Sequence, residues 1–213
     1  MKALSVFRPR IAPRVSGCLD EMIDQAVLDA CIDFCERTLV VKRMLTPIST
    51  VASTFEYTPA APSEEAVACL VRVWCDLSEL TPLDEDAMAT PFGFTASVPG
   101  QTNTPSKPRF FNETSPGSVG LYPAPDRVYT LNIRAALRPT RAAANVEDQL
   151  FEDWAEAIVD GALARLMLYP GEWANVKLAS VHEKRYEAAV GSARLEASQG
   201  ATRAQQRIQP VHI

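Results

Sequence analysis

The first forty residues carry apolar side chains at helical spacing. In the segment CLDEMIDQAVLDACIDFCERT these side chains recur three and four positions apart, so they fall on one face of an α-helix. The apolar positions are Leu19, Met22, Ile23, Ala26, Val27, Ala30, Cys31 and Phe34. Asp20 and Glu21 near the start and Arg37 near the end suit the helix dipole. The pattern predicts an amphipathic helix with one broad apolar stripe.

The helical period disappears between about residues 45 and 140. Short runs rich in Val, Phe, Tyr and Leu alternate there with prolines and other turn residues, which is typical of strands. The predicted strands lie in the segments STFEYTP, VACLVRVWCDL, PRFFNET, SVGLYPAP and RVYTLNIRAAL. The last segment alternates apolar and polar positions, so it predicts a strand with one buried face. Residues 84–108 have little period and predict a long loop, which is usually functional or mobile.

After Pro139 the helical pattern returns over about residues 145–168, and Pro170 ends it. Gly161 stands in the middle of this predicted helix, where glycine costs about 1 kcal/mol relative to alanine. Ala157, Gly161 and Ala164 form a stripe of small residues, which lets another helix approach closely. That second helix belongs either to the same helical hairpin or to a neighbouring copy of the chain. A final helix is predicted from about residue 175 to 198.

These elements predict an α+β fold. Its centre is an antiparallel helix bundle, built from the N-terminal helix and a C-terminal helical hairpin, with a β-rich insertion between them and an extended C-terminal tail. The segments expected are residues 1–44 (N-terminal arm and first bundle helix), 45–140 (β-rich insertion), 141–199 (helical hairpin) and 200–213 (tail). Lys2, Arg8, Arg10 and Arg14 give the N-terminal arm a basic character, and an extended arm of this kind is typical of proteins that reach onto neighbours.

Composition narrows the class of protein. The 213 residues are 47% hydrophobic and 22% charged, which are values for a globular protein. The net charge of −5 argues against a generic nucleic-acid coat. No run of about 20 apolar residues occurs, so no membrane span is predicted, and the segment MKALSVFRPRIAPR lacks the features of a secretory signal. Five cysteines without a C-x-x-C pair predict reduced thiols in a protein made in a cytoplasm.

A search for catalytic chemistry finds no established motif. Phosphate-binding glycine loops and the nucleophile elbow are absent from the sequence. His182 is interpreted as a half-buried, hydrogen-bonded histidine of the last helix, and His212 as a tail residue. Acidic groups that could act as paired carboxylates occur at 64–65, 84–86 and 147–156. The set at 147–156 is interpreted as a solvated helix start, and the set at 84–86 lies in the predicted loop, where it could chelate a cation only weakly. Trp74, Trp154 and Trp173 are interpreted as core or interface anchors. We therefore predict no catalytic residue, no cofactor and no metal site.

Four stretches, in order along the chain, resemble the head-to-tail connector (adaptor or gatekeeper) proteins of tailed bacteriophages. The first helix contains LDACIDFCERT, similar to that family's Ala-x-x-x-Phe-Cys-x-x-Thr helix. The insertion ends in GLYPAPDRVYTLNIRAALRPT, which resembles the family's Leu-x-Pro-x-Pro turn and long strand. The segment DWAEAIVDGALARLMLYPGEWANVKLA resembles its Ala-Ile-x-x-Gly-Ala-x-x-Arg-Leu helix, Pro-Gly break and next helix. An extended tail follows.

The resemblance implies a structural virion protein of the neck, made in the host cytoplasm. Twelve copies would form a ring that continues the portal channel, with genomic DNA passing through the lumen without sequence-specific binding. The ring would contact the portal above and a tail or neck protein below, and the C-terminal tail would climb onto the portal. The portal-contact candidates of that tail are Arg203, Arg207, Ile208, Val211 and Ile213.

Two alternatives stay open at this stage. One is another ring-forming virion component, such as a tail-completion or tail-terminator protein. The other is a small α+β enzyme with an atypical site built on the 84–108 loop. A deep pocket with convergent titratable groups would favour the enzyme, and a flat surface would not.

Overall fold

A computed structural model of the chain describes residues 1–83 and 105–199. The chain divides into two compact units. One, called here the helical unit, contains Met1–Val41 and the chain from Arg138 onward; the other, called the β unit, contains Lys42–Leu137. Each unit has a buried core of its own.

The helical unit contains five described α-helices and one short strand pair. The helices are α1 (Arg8–Ile11), α2 (Asp20–Thr38), α3 (Asp148–Glu152), α4 (Ala155–Leu166) and α5 (Val176–Gln199). Two 3₁₀ turns, Leu4–Phe7 and Ala12–Arg14, flank α1. Strands β1 (Lys2–Ala3) and β11 (Asn145–Val146) pair antiparallel. Helices α2, α4 and α5 pack against one another and supply most of this core.

Helix α2 matches the amphipathic helix predicted from the sequence. Ile23, Val27 and Phe34 of the predicted apolar face are buried. The buried arc is wider than predicted, since Leu28 and Ile32 are buried as well, and Leu19 stands exposed before the first turn. The helix ends where Leu39 takes a left-handed backbone conformation (φ 54°) and its N–H donates to the carbonyl of Cys35 at 2.9 Å. This contact satisfies one of the carbonyls that a helix end otherwise leaves unpaired.

The single helix predicted over about residues 145–168 is two helices in the structure. The backbone leaves the helical region at Trp154 (φ −124°, ψ 16°), between α3 and α4. This break lets the Trp154 ring pack 5.4 Å from the Phe34 ring of α2. After α4 the chain turns tightly, since Asn175 N–H donates to the Met167 carbonyl at 3.0 Å. The Asn175 side chain then accepts the N–H of Leu178 at 3.1 Å, which caps the first turn of α5.

The prediction of an extended basic arm before α2 is wrong. Residues 1–15 fold into the strand and turns described above, and they bury Leu4, Phe7, Ile11 and Val15. Their basic side chains pair within the same unit. Arg8 donates to the carboxylate of Asp24, Lys2 lies 3.1 Å from Glu152, and Arg10 lies 2.6 Å from Glu156. This segment forms no long helix, but its apolar residues recur three and four positions apart. Their burial holds the segment on the core.

The β unit consists of short strands around two long ones. In chain order they are β2 (Lys42–Met44), β3 (Ile48–Ser49), β4 (Glu56–Tyr57), β5 (Glu65–Cys75), β6 (Ser78–Glu79), β7 (Thr81–Pro82), β8 (Phe110–Ser115), β9 (Ser118–Tyr122) and β10 (Thr130–Pro139). One described sheet has the order β2-β10-β5-β6, with β3 also on β10; the other has the order β4-β9-β8-β7. Strand β10 pairs antiparallel with β2 and β3, and the β4–β9, β5–β6 and β8–β9 pairs are antiparallel too, whereas β7 runs parallel to β8.

The β8–β9 hairpin shows how the sequence sets the register. Ser115 pairs with Ser118, so Pro116 and Gly117 form the turn. Proline presets the first turn position, and Gly117 (φ 84°) supplies the positive φ that a side chain would oppose. In β10 the alternation predicted from sequence is present, since Leu131, Ile133 and Leu137 are fully buried.

The predicted architecture, an antiparallel helix bundle carrying a β-rich insertion, is wrong. The chain is α+β, with a curled, mainly antiparallel half-barrel sheet instead of a small insertion on a bundle. The β unit is compact by itself and buries its own apolar residues, among them Val73, Phe111 and Leu121. The prediction missed this because the many prolines and two-residue strands suggested a projection from a helical core. A proline-rich chain can still close a core when its few long strands, β5 and β10, are apolar on the inner face.

Candidate functional site

Gly161 of α4 lies at a close approach of this helix to both α5 and α2. A Cβ atom placed on it would be 2.8 Å from Cε2 of Tyr186 on α5 and 3.3 Å from the Cβ of Ala30 on α2. A Cβ contact under 3.0 Å does not occur without displacement of a neighbour, so the missing side chain makes room for the tyrosine ring. Ala157 is also buried on α4, and Ala164 is half-buried. The partner that approaches Gly161 belongs to the same chain.

Around Gly161, charged side chains from three helices meet. We call this cluster the helix junction, and its members are Asp33, Arg37, Gly161, Arg165, Tyr186 and Glu187. The Tyr186 hydroxyl donates to Asp33 Oδ2 at 2.6 Å and lies 3.2 Å from the carbonyl of Ala30. Arg165 donates to the carbonyl of Gly161 at 2.9 Å, and its guanidinium carbon lies 5.7 Å from the centre of the Tyr186 ring.

The junction ties α2 to α5 a second time through Arg37. Its guanidinium donates to both carboxylate oxygens of Glu187, at 2.7 and 2.5 Å, in a bidentate arrangement. Hydrogen bonding from Arg37 holds the pKa of Glu187 below its usual value. Burial and the hydrogen bond to Asp33 raise the pKa of Tyr186 far above its usual value, so its hydroxyl stays a donor at any physiological pH. The junction therefore acts as a structural clamp between α2, α4 and α5.

Sequence reasoning found only part of this junction. It selected Gly161 from the cost of glycine in a helix and placed Tyr186 on the apolar face of the last helix. It missed Asp33, Arg37 and Arg165 because charged residues on a helix surface ordinarily face water. The available signal was the spacing of Gly161 and Arg165, since a residue four positions after a close contact returns to the same helix face.

Two further titratable groups singled out from the sequence, His182 and Glu65, have structural partners. His182 is buried on α5 with Nδ1 2.7 Å from Asp160 Oδ1 of α4, as predicted for a hydrogen-bonded histidine. Glu65 is buried in the β unit, 3.3 Å from the guanidinium of Arg43. Residues 1–83 and 105–199 contain no group of three or more His, Cys, Asp or Glu side chains that could hold a metal ion.

The cysteines and tryptophans occupy packing positions. The five cysteines all lie in the described ranges and none forms a disulfide; burial raises the pKa of the Cys31 thiol well above its usual value, so that thiol stays protonated near neutral pH. Trp173 donates its indole N–H to the carbonyl of Leu166 at 3.2 Å at the end of α4. Trp74 is half-buried on β5. These tryptophans pack as anchors, and none forms part of a stacking platform in the described chain.

The helical unit also carries an open groove between α2 and the C-terminal end of α4. Its volume is about 670 Å³. We call it the α2–α4 groove, and it is lined by Glu21, Met22, Gln25, Ala26, Asp29, Arg165, Leu168 and Tyr169. Leu168 and Tyr169 are 63% and 53% exposed there, a high exposure for such large side chains. The lining combines apolar side chains with the carboxylates of Glu21 and Asp29 and the guanidinium of Arg165.

Several predicted site residues fall outside the described part of the chain. Arg203, Arg207, Ile208, Val211 and Ile213 lie beyond residue 199, as does His212. Of the predicted 84–108 loop, residues 84–104 are likewise outside, including the acidic residues 84–86. None of the helices in the described ranges is long and apolar enough to cross a membrane.

Comparison with known proteins identifies the family. No curated protein matches the chain. A family model described as "SU10 adaptor protein" matches residues 1–211, which is nearly the whole chain and includes both units. The match agrees with the resemblance found in the helix, turn and hairpin motifs. A structural role follows from membership, and so do interactions with other head or tail proteins of the virion. The chain belongs to the SU10 adaptor protein family, a family of phage head–tail adaptors.

Proposed function

We propose that this protein is a head-to-tail connector that forms a ring below the portal, in the neck of the virion. The ring contains twelve copies, joins the capsid to the tail and continues the DNA channel. The match of the family model over residues 1–211 carries this proposal. The ion-paired helix junction, which would hold the helical unit rigid within an assembly, supports it too.

The C-terminal tail makes the contact with the portal in this proposal. Ile208, Val211 and Ile213 supply apolar side chains, and Arg203 and Arg207 supply charge that can pair with portal carboxylates. No acidic residue occurs in residues 200–213. A short basic and apolar segment gains affinity by ordering against a preformed surface, and its contacts must exceed the entropy lost on ordering.

DNA passes through the lumen without sequence-specific contacts. The chain has a net charge of −5, so a ring of identical copies carries a large negative charge. Carboxylates that face a channel repel phosphate and keep DNA from adhering to the wall. The proposal therefore predicts weak binding of duplex DNA that falls further as salt is lowered, the reverse of the usual salt dependence of a DNA-binding protein.

Portal binding by the purified protein tests the proposal. The full chain, a chain lacking residues 201–213, and the double variant Arg203→Glu with Arg207→Glu are mixed with portal rings and imaged. The full chain should add a ring to one face of the portal, and both altered chains should lose it while keeping their circular dichroism spectra. Arg203→Lys with Arg207→Lys is the matched control and should bind. Unchanged attachment of the truncated chain would contradict the role of the tail, and a full chain that never joins the portal would contradict the connector function.

A further inference from the structure

Two surfaces of the helical unit complement each other. One is a groove with carboxylates in its lining, and the other is a helix face with exposed basic side chains. The first is the α2–α4 groove, whose lining includes the apolar side chains of Met22, Ala26 and Leu168 and the carboxylates of Glu21 and Asp29. Its one cation, Arg165, is already paired with Asp33 at 3.5 Å. The groove volume of about 670 Å³ is enough for several large side chains. Leu168 and Tyr169, 63% and 53% exposed, leave large apolar side chains available for a contact there.

The second surface is the outer face of α5. Leu178 and Val181 are 46% and 43% exposed there, although both are apolar. Basic side chains surround them, since Lys177, Lys184 and Arg185 are all exposed. The inner face of the same helix buries Ala179, His182, Tyr186, Val190 and Ala193, so the helix has one face in the core and a separate apolar and basic face outside.

The geometry of α5 shows that this outer face points away from the groove. Glu187 marks the side of α5 next to α2, because it pairs with Arg37. Leu178 precedes Glu187 by nine positions, which at about 100° per residue places it on the opposite side of the helix. The groove lies beside α2 and the outer face of α5 lies away from α2, so one copy of the chain cannot fill its own groove with this face.

We propose that the α2–α4 groove of one copy receives the outer face of α5 from a second copy. Leu178 and Val181 of the second copy fill the apolar wall, and its Lys184 and Arg185 lie against Glu21 and Asp29. The two surfaces are different, so the contact is head-to-tail; contacts of this type close into a ring when the rotation between copies permits. The inference rests on the proposed function, since it names the surface by which copies of the adaptor join.

Charge reversal on each surface tests the contact. The full chain is prepared with Glu21→Lys and Asp29→Lys, with Lys184→Glu and Arg185→Glu, and with all four substitutions. Self-association is measured by analytical ultracentrifugation over a range of concentrations, and folding by circular dichroism. Each two-residue variant should weaken self-association at least about tenfold, a loss of about 1.4 kcal/mol. The four-residue variant should regain it, because every contact then has its charges exchanged. Arg109→Glu, an exposed reversal in the β unit, is the matched control and should associate normally.

Crosslinking between isotopically distinct copies identifies the surfaces directly. A photo-crosslinking residue replaces Val181 in ¹⁵N-labelled chain, which is mixed with unlabelled chain. The expected adducts join the labelled position to residues 21–29 of the unlabelled copy. Adducts that join only peptides of the same isotope would overturn the inference. So would adducts that join position 181 to residues 200–213 in place of residues 21–29. If none of the charge reversals changes the self-association of the chain, the inference is wrong but the connector function stands. If the wild-type chain stays monomeric both alone and on portal rings, both the inference and the connector function are wrong.

Discussion

In the helical unit, side chains from three helices converge on one tyrosine, whereas in the β unit the strands are joined mainly along their backbones. Most of the ion pairs found in the described residues belong to the helical unit. In the β unit a buried threonine joins two segments of the chain through its backbone and its hydroxyl. Thr50 donates its backbone N–H to the Tyr129 carbonyl at 2.9 Å. Its hydroxyl accepts the Tyr129 N–H at 2.8 Å and donates to the Arg127 carbonyl at 3.1 Å.

This difference shows which kinds of residue determine the structure of each unit. Helices make their own backbone hydrogen bonds, so their mutual orientation depends on side chains such as Gly161, Tyr186 and Arg37. Strands are oriented by the ladder itself, so the β unit requires correct turns and an apolar inner face more than particular polar pairs. The four predictions below test this comparison, from the largest expected effect to the smallest.

Loss of core volume should affect both units equally. Ile133 of β10 and Ile158 of α4 are both fully buried. Replacing either by alanine should lower the free energy of unfolding by about 2–5 kcal/mol, because each change removes buried methyl groups and leaves a cavity. Urea unfolding gives the total loss, and hydrogen exchange shows which unit loses protection. Protection lost in the helical unit after Ile133→Ala would contradict the division into separately built cores.

Alanine at two helical glycines should act in opposite directions. At Gly161 the added Cβ meets the Tyr186 ring at 2.8 Å, so Gly161→Ala should lower the free energy of unfolding by about 1–3 kcal/mol, and Gly161→Leu by more. Gly191 on α5 has nothing within 4 Å of the same position. Gly191→Ala should therefore raise the free energy of unfolding by about 0.5–1 kcal/mol through helix propensity. A Gly161→Leu chain as stable as wild type would contradict the close approach at the junction.

Removal of one hydroxyl should loosen the helix junction. Tyr186→Phe keeps the ring that packs on Gly161 but removes the donor to Asp33, and it should cost about 1.5–3 kcal/mol because the acceptor is charged. The pKa of Tyr186 is raised from its ordinary value of 10.0, so the hydroxyl stabilises the fold fully below about pH 10 and less as pH rises above that value. Tyr186→Phe should remove this part of the alkaline loss of stability. Identical alkaline unfolding curves for the two chains would count against the buried donor.

Salt should weaken the helical unit slightly and the β unit hardly at all. Raising sodium chloride from low concentration to about 1 M shortens the Debye length to about 3 Å and screens exposed ion pairs such as Arg37–Glu187. Each such pair contributes about 0.2–1 kcal/mol, so the loss should be small. Hydrogen exchange at the two salt concentrations measures it in each unit. In Arg37→Gln the salt effect around α5 should shrink, and an equal response of the β unit would contradict the comparison.

The sequence predicted elements more reliably than their arrangement. Period-3.6 spacing located α2 and α5 to within about two residues, and alternation located β10, because both patterns report which face is buried. The arrangement depended on features that spacing does not contain. One such feature is the break at Trp154, where the backbone departs from helical geometry and the ring packs against Phe34. Another is the folded N-terminal segment, which buries Phe7 and Ile11.

The candidate site was predictable only in part, for a related reason. Gly161 was visible because glycine in a helix conflicts with local propensity and so needs an explanation from tertiary structure. Arg165 and Asp33 conflict with nothing locally, since charged residues suit a helix surface. Only the fold shows that their side chains meet Tyr186.

The central claim is that copies of this chain form the ring that joins the capsid portal to the tail. Reconstruction of the neck of intact particles by electron microscopy tests it most directly. The account predicts a closed ring of twelve copies between portal and tail, with α5 of each copy seated in the α2–α4 groove of the next. Density that placed the chain elsewhere in the particle, or as isolated copies without contact between them, would contradict it.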